Sequence, residues 1–461
     1  MITRIEATRY RCFEQLGVDM SEFKIIVGAN GSGKTTLIDI PNLFGELLRS
    51  DNIASVFTLK RGDMPARASA LRELVFAGRG DDFSLVVEAK LPQEIQEKVV
   101  AALIERHDPP ISGRRKKLME LVAYRNNPRR WPTHIRYEVR LEVFNERELN
   151  VKNEYLFLFP EASSPEREIG GLHGEVNSGR SDWHYILRRE YGGPAEFQTE
   201  VDPIQGNAVR DEKIRIKPNL LAMSLVKYRS DAYPAASWLY ELLTERAVFL
   251  EPDWEKLRAA APPGQPLELI PSALNLPWLA LNLKRQGMPM EFTKEEQTNY
   301  RSRDFNDWVD HVQTALPLLE DIDVKEREED HHAYFSLLYA GGFSVTSSGL
   351  SDGTLRILTL TLLAYLPNAP QLVVTEEPEN GIHPSAIEAI LQSLESQYHS
   401  QVWISSHSPV VLAASKLEQL LCARQTTEHG VVVVAGEAHP RLKDWRGGID
   451  LGSLFAAGIL G

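Results

Sequence analysis

Gly28-Ala29-Asn30-Gly31-Ser32-Gly33-Lys34-Thr35 meets every fixed position of the loop G-x-x-x-x-G-K-[ST]. The apolar run Phe23–Val27 in front of it reads as a strand. Leu37, Ile38 and Ile40 behind it supply one apolar face of a helix expected to begin at Thr35. Strand, glycine-rich loop and helix in that order make a phosphate cradle. Gly28, Gly31 and Gly33 let the backbone curl, so that N–H groups between Asn30 and Thr36 point inward at phosphate oxygens. Lys34 brings a point charge to the outer phosphates, Thr35 a hydroxyl for magnesium, and the helix its positive end. A chance glycine-rich turn would not be flanked in this way.

Three further motifs lie far down the chain. Gly349-Leu350-Ser351-Asp352-Gly353-Thr354-Leu355-Arg356 precedes the apolar segment 357–366, expected as a buried helix. Ser351 and Gly353 then sit at a helix N-terminus, where free N–H groups meet an anion. The same residues suit a plain turn and N-cap, and the segment alone leaves both readings open. Gln371-Leu372-Val373-Val374-Thr375 reads as a buried parallel strand ended by Glu376 and Glu377. Open α/β sheets place ligand chemistry at such strand ends. Glu376 there is disposed to hold magnesium through water, and Glu377 to orient or deprotonate an attacking water. Residues 401–404 form another short apolar strand, ended by Ser405-Ser406-His407-Ser408-Pro409. His407 is placed to donate to an outer phosphate and to sense its loss.

In this order the four motifs resemble those of the ABC-type ATPases: phosphate loop, LSGGQ-like signature, acid-ended strand and switch histidine. LSDGTLR, EEPENGIHP and SSHSP are similar to the AAA-type ATPases related to the RecF, SMC and overcoming-lysogenization-defect (OLD) proteins, more than to transporter ATPases. The resemblance implies an α/β, ABC-type P-loop ATPase head, with a parallel core sheet and an antiparallel β layer, interrupted by a long mixed, mainly helical insertion. The expected division is 1–92 for the N-terminal lobe, 93–332 for the insertion and 333–461 for the C-terminal lobe. The resemblance also implies ATP and Mg²⁺ as ligands, with Gly28, Asn30, Gly31, Gly33, Lys34, Thr35 and Thr36 on the nucleotide. Thr35 and Glu376 would face the metal, and Glu377 and His407 would be catalytic. Ser351 and Gly353 would reach the γ phosphate bound to a second copy, so the partner is self, in a homodimer or a higher even-numbered oligomer. Two departures stand out. The family has Asp where this chain has Glu376, and it has a glutamine loop after the first helix, whereas no Gln occurs between Leu37 and Pro92. Glu73 or another polar residue is left to take that place.

The remainder of the chain is less specific. Residues 2–9 and 83–91 read as strands, 93–107 as a helix, and 134–144 and 154–159 as strands that would complete the antiparallel layer. Residues 160–215 look loop-rich. Helices are expected over 233–247 and 296–319, forming an arm for dimer or partner contacts, with Asn275-Leu276-Pro277 resembling a segment of such arms. Alternation returns at 333–346. No heptads sustain a long coiled coil. Arg114, Arg115, Lys116, Lys117, Arg129 and Arg130, flanked by Tyr124 and Trp131, are the nucleic-acid candidate, which would make DNA a further partner. A solvated charged loop explains the run equally well.

With 51 Lys+Arg against 64 Asp+Glu the net charge is -13, which disfavours a nucleic-acid coat without excluding a local basic groove. Two cysteines, Cys12 and Cys422, form no CxxC, so zinc ribbons and redox pairs are out. No membrane-spanning run and no signal-peptide core is visible, and a cytoplasmic protein is expected. The residues after His407 are too few for the metal-dependent nuclease that OLD proteins carry there, so an effector such as a nuclease is expected on a separate chain. The resulting expectation is an ATP-hydrolysing subunit that controls an effector in anti-phage defence. A RecF-like DNA repair or recombination ATPase and a slow or inactive nucleotide-dependent scaffold are the alternatives.

Overall fold

The computed structural model describes residues 1–60, 65–107, 127–166, 171–175, 182–201, 211–397, 400–442 and 450–458. The chain forms two compact units. One comprises Met1–Ser21, Gly31–Arg246 and Arg424–Val433; the other comprises Glu22–Asn30, Ala247–Ala423 and Val434–Gly461. The boundary at Arg246 falls inside the stretch 93–332 that the sequence suggests as one insertion, so that stretch contributes to both cores. Among the described residues no helix is long and apolar enough to cross a membrane.

The second unit is built on parallel strands in the order Ala247–Leu250, Leu372–Glu376, Gln401–Ser406, Phe23–Val27 and Leu420–Thr426. Their runs AVFL, LVV, VWI and KIIV are almost continuously apolar, as strands covered on both faces must be. Ile25, Ile26, Val27, Val373 and Trp403 are fully buried. The helix Pro384–Glu395 buries Ala386, Ile387, Ile390, Leu391 and Leu394, a single stripe at helical spacing, and starts with proline at its first position. Leu276–Arg285 and Arg303–Ala315 join the same core, where Trp308 is fully buried and donates its Nε1–H to Thr361 Oγ1 at 3.0 Å. They are core helices, not an arm. Asn275 is fully buried and donates to the carbonyls of Pro266 and Glu268, so the Asn-Leu-Pro segment is a helix start. The helix expected over 296–319 is two, Lys294–Asn299 and Arg303–Ala315. Ser302 caps the second by accepting from Phe305 N–H at 3.1 Å. A separate antiparallel sheet of Leu319–Glu326, Ala333–Tyr339 and Phe343–Thr346 completes this unit. The Leu451–Ala456 helix packs here too, Gly452 lying too close to the Pro409 carbonyl for any side chain.

The first unit is an antiparallel sheet in the order Phe13–Asp19, Ile2–Tyr10, Asp82–Lys90, His134–Phe144, Glu148–Phe159, His184–Arg189, Ala195–Gln198 and Asp211–Ile214. The last three strands correct the reading of 160–215 as loop. They are short, and Ala195–Gln198 alternates buried and exposed residues, leaving little apolar signal. The helix Pro234–Thr244 belongs to this unit, its first N–H groups at Ala235 and Ala236 capped by the buried Glu200 carboxylate.

A charged cluster crosses the middle of this sheet. Arg136, fully buried, donates to Glu6 at 2.7 Å, Glu88 at 2.5 Å and Glu138 at 2.5 Å. Burial would depress its basicity, but the carboxylates of Glu138, Glu6 and Glu88 outweigh that and hold it above the ordinary arginine value. Removing the cation takes the guanidinium away from three buried carboxylates, of which Glu6 keeps Arg4. Arg136→Met is therefore expected to destabilise the chain by about 3–5 kcal/mol in a urea titration; a loss under about 1 kcal/mol would mean that water reaches the cluster.

Candidate active site at the strand ends

Within the second unit the strand register sets the site. Glu376 pairs with Ser405, and Ser406 pairs with Val27, so three neighbouring parallel strands end level with one another. Gly28 to Asn30 leave the third of these ends, Glu376 and Glu377 the first, and His407 the middle one. The strand bearing the histidine lies between the strand of the phosphate loop and the strand of the acid pair.

Gly31 and Gly33 both lie at φ 79°, in the left-handed region. Nothing stands within 4 Å of a Cβ placed on Gly31, so the loop is open there. Gly33 is held for a different reason: a Cβ would come within 2.8 Å of Cys12 Sγ. The helix begins at Lys34, one residue earlier than expected, and runs only to Ile38 before a second helix, Ile40–Arg49, continues past Pro41. Asp39 at the joint is gripped by Arg67 through Nε at 2.7 Å and Nη2 at 2.9 Å. Sequence reasoning missed Arg67, a lone arginine in a segment with no motif. Lys34 is buried at 7% exposure, while Thr35 is exposed. Ser32 is buried and its hydroxyl has no hydrogen-bond partner among the described residues. A buried orphan hydroxyl beside an open glycine cradle fits an anionic ligand that supplies the missing bond.

Glu377 is the most constrained residue at the strand ends. Its φ of 44° puts a non-glycine residue in the left-handed region, a strain the surrounding bonds must hold. Its N–H donates to Ser405 O at 2.9 Å. One carboxylate oxygen lies 2.7 Å from His407 Nδ1 and the other accepts from Asn380 Nδ2 at 2.7 Å. Glu377 and His407 are thus brought together through the ring's Nδ1.

The signature segment is ordered by two local causes. Ser351 caps the helix Asp352–Leu362, its Oγ accepting from Thr354 N–H at 3.1 Å. Asp352 accepts from Arg258 Nη2 at 2.6 Å. Gly353 has a packing role: a Cβ there would lie 2.3 Å from the carbonyl oxygen of Gly381, in the turn after the acid pair. Gly353→Ala is expected to cost about 1–3 kcal/mol by overpacking and to lower turnover by shifting that turn. Thermal melting alongside a phosphate-release assay checks both; an unshifted melting point would show that the backbone yields freely.

Glu73 accepts from Ser69 N–H at 3.0 Å in its own exposed turn. Another acid does stand near the pair. The strand hydrogen-bonded beside Leu372–Glu376 is Ala247–Leu250, with Leu250 opposite Thr375, and the residue that follows it is Glu251. Glu251, Glu376, Glu377 and Asn380 line one cavity of about 310 Å³ together with Trp254 and Arg356, whose guanidinium lies 4.3 Å over the Trp254 ring. Burial depresses the basicity of Arg356. A four-residue strand directly behind a helix carries no turn signal, which is why the sequence shows only the helix.

Of the basic candidates, Arg114, Arg115, Lys116 and Lys117 lie outside the described residues, as does Tyr124. Arg129 is exposed on the turn Pro128–Arg130, and Arg130 donates to Asp182 Oδ1 at 2.9 Å, which neutralises much of its charge.

Residues 224–413 match the family described as "AAA domain, putative AbiEii toxin, Type IV TA system". The match contains the signature, the acid pair and His407, while the phosphate loop lies outside it and rests on its own motif. No curated protein matches the sequence. Among solved structures, an Smc head bound to the C-winged helix domain of ScpA aligns at 12% identity and TM-score 0.45, over 94% of this chain and 97% of that one. An Smc head with an extended coiled coil bound to the C-terminal domain of ScpA, derived from Pyrococcus furiosus, aligns at 13% identity and TM-score 0.44, over 95% and 96%. The SMC head domain from Thermotoga maritima aligns at 12% identity and TM-score 0.38, over 94% and 98%. Over residues 224–413 the chain is thus similar to an AAA-domain family, and the rest of the sequence lies outside that match.

Proposed function

We propose that the chain binds ATP at Gly28–Thr36 and hydrolyses it slowly, and that two copies close on two nucleotides to control a separate effector in anti-phage defence. The observation that carries the hydrolytic reading is the level ending of three adjacent parallel strands in Gly28, His407 and the Glu376–Glu377 pair. Lys34 neutralises the outer phosphates, and the orphan Ser32 hydroxyl and the loop N–H groups hold their oxygens. Thr35 and Glu376 are the residues that would hold magnesium; when bound, it neutralises charge at the phosphates. Glu376, longer than the usual Asp, reaches that position through a water.

Glu377 orients and deprotonates the attacking water. Both of its oxygens are engaged, by His407 and by Asn380, so one bond must be exchanged before the carboxylate can take a proton. A slow basal rate in the isolated chain follows, with faster turnover expected when a second copy or a partner reorders the turn. Ser351 and Gly353 of the second copy would present their helix N-terminus to the γ phosphate.

The defence setting is supported by the likeness of LSDGTLR, EEPENGIHP and SSHSP to OLD-related ATPases and by the description of the matching family, which names a toxin. Co-purification of the tagged chain with the products of neighbouring genes, with and without ATP, tests it. Recovery of a nuclease or toxin that depends on nucleotide is the expected result. Recovery of DNA alone, with ATPase activity stimulated by it, would favour the repair reading instead.

A further inference from the structure

The turn that carries Glu377 holds a third acid that no motif assigns. Glu379 is 8% exposed, and its Oε1 accepts from Ser406 Oγ at 2.5 Å. That hydroxyl in turn accepts from Ser408 N–H at 3.0 Å. Ser406 therefore has one role on each side, donor to Glu379 and acceptor from the backbone beyond His407. The histidine lies between the two bonded residues, and its ring reaches the other acid of the same turn at 2.7 Å. The acid turn and the histidine turn are laced together at two points two residues apart, one at the ring and one at the backbone beneath it.

A buried serine–glutamate pair that only filled space would not need this geometry. Glu379 Oε2 is buried and has no hydrogen-bond partner among the described residues, an arrangement that costs more than a buried apolar side chain of the same shape. Burial, the largest effect, pushes the carboxyl above its ordinary range against the bond from Ser406. Glu377, His407 and Arg356 are the charged groups around it. Retaining a carboxyl at such a cost fits a residue kept for the position it imposes.

We propose that Glu379, through Ser406, is a positioning residue that sets the orientation of His407 toward Glu377 and the outer phosphate. The pair acts on the proposed hydrolysis without touching the nucleotide, so this inference rests on that reading. With the lacing cut, the 406–408 backbone is free to rotate, and the ring no longer arrives at the phosphate at a fixed angle. Misplacement on the scale of 1 Å costs on the order of a hundredfold in rate.

The test measures kcat for ATP and nucleotide affinity side by side in Glu379→Ala, Ser406→Ala, Ser406→Thr and the double Ala variant. Each single Ala variant is expected to lower kcat by about ten- to a hundredfold with nucleotide Kd within about twofold. Ser406→Thr, which keeps the hydroxyl, is expected to recover most of the rate lost in Ser406→Ala. The double variant should be no slower than the worse single one, because both remove the same bond. Unchanged kcat in the single variants overturns the proposal, as does a parallel loss of nucleotide affinity in both, which would mark the pair as structural. If Glu377→Gln hydrolyses ATP as fast as the wild-type chain, the hydrolytic reading fails first; if only Glu377→Gln is slow, the hydrolytic reading stands and Glu379 has no part in it.

Discussion

Lys34→Ala is expected to abolish measurable ATP binding at micromolar nucleotide. The side chain is 93% enclosed by the protein at 7% exposure, so its charge is poorly screened and meets the phosphates in a low-dielectric setting. Removing one partner of a buried charge pair costs about 3–5 kcal/mol, roughly two to four orders of magnitude in Kd. The loss should appear in a titration with a fluorescent nucleotide analogue. Folding should be little affected, since Gly33 and the Asp39–Arg67 pair fix the loop helix independently of the lysine. Binding that survives intact would move the nucleotide away from the glycine loop altogether.

Glu377→Gln separates binding from chemistry. Gln keeps an oxygen for His407 or Asn380 and can hold the strained turn, but it cannot accept a proton. The rate of phosphate release is expected to fall by about 10²–10⁴, the usual worth of a general base, while nucleotide affinity stays within a few-fold. His407→Ala acts on the partner of the same bond and should slow turnover less, since Asn380 still holds the carboxylate. A Gln variant that hydrolyses at the wild-type rate would remove Glu377 from the mechanism.

Much of the site is legible in the sequence because its signals are local. The phosphate loop is fixed by residue types at fixed offsets, and each acid or histidine follows directly on an apolar strand. What the sequence hides is what depends on register. Ala247–Leu250 is only four residues long and follows a helix after just Glu245 and Arg246, yet its pairing with Leu372–Glu376 is what sets Glu251 beside the acid pair. Arg67 is remote from the helix end it clamps, and Glu379 and Ser406 are 27 positions apart, so no periodicity links them. Gly353 reads as a ligand-facing glycine, whereas the approach of the Gly381 carbonyl gives it a packing reason as well. The strands at 184–214 are only four to six residues long and lie at the end of their sheet.

The two units also explain why a division at 92 and 332 is natural in sequence yet differs from the folded arrangement. The composition changes at Pro92, but the antiparallel sheet continues without interruption from Asp82–Lys90 to His134–Phe144 through nine register pairs. Hydrogen bonding along that ladder outweighs the change in composition.

The central claim, that two chains close on ATP and that Glu377 then hydrolyses it, is tested most directly by the solution mass of the Glu377→Gln variant with and without Mg-ATP. Light scattering should give a single-chain mass without nucleotide and a doubled mass at saturating Mg-ATP, reverting when Lys34→Ala is added to the same chain. A mass that is independent of ATP, at a concentration where nucleotide binding is saturated, would contradict it.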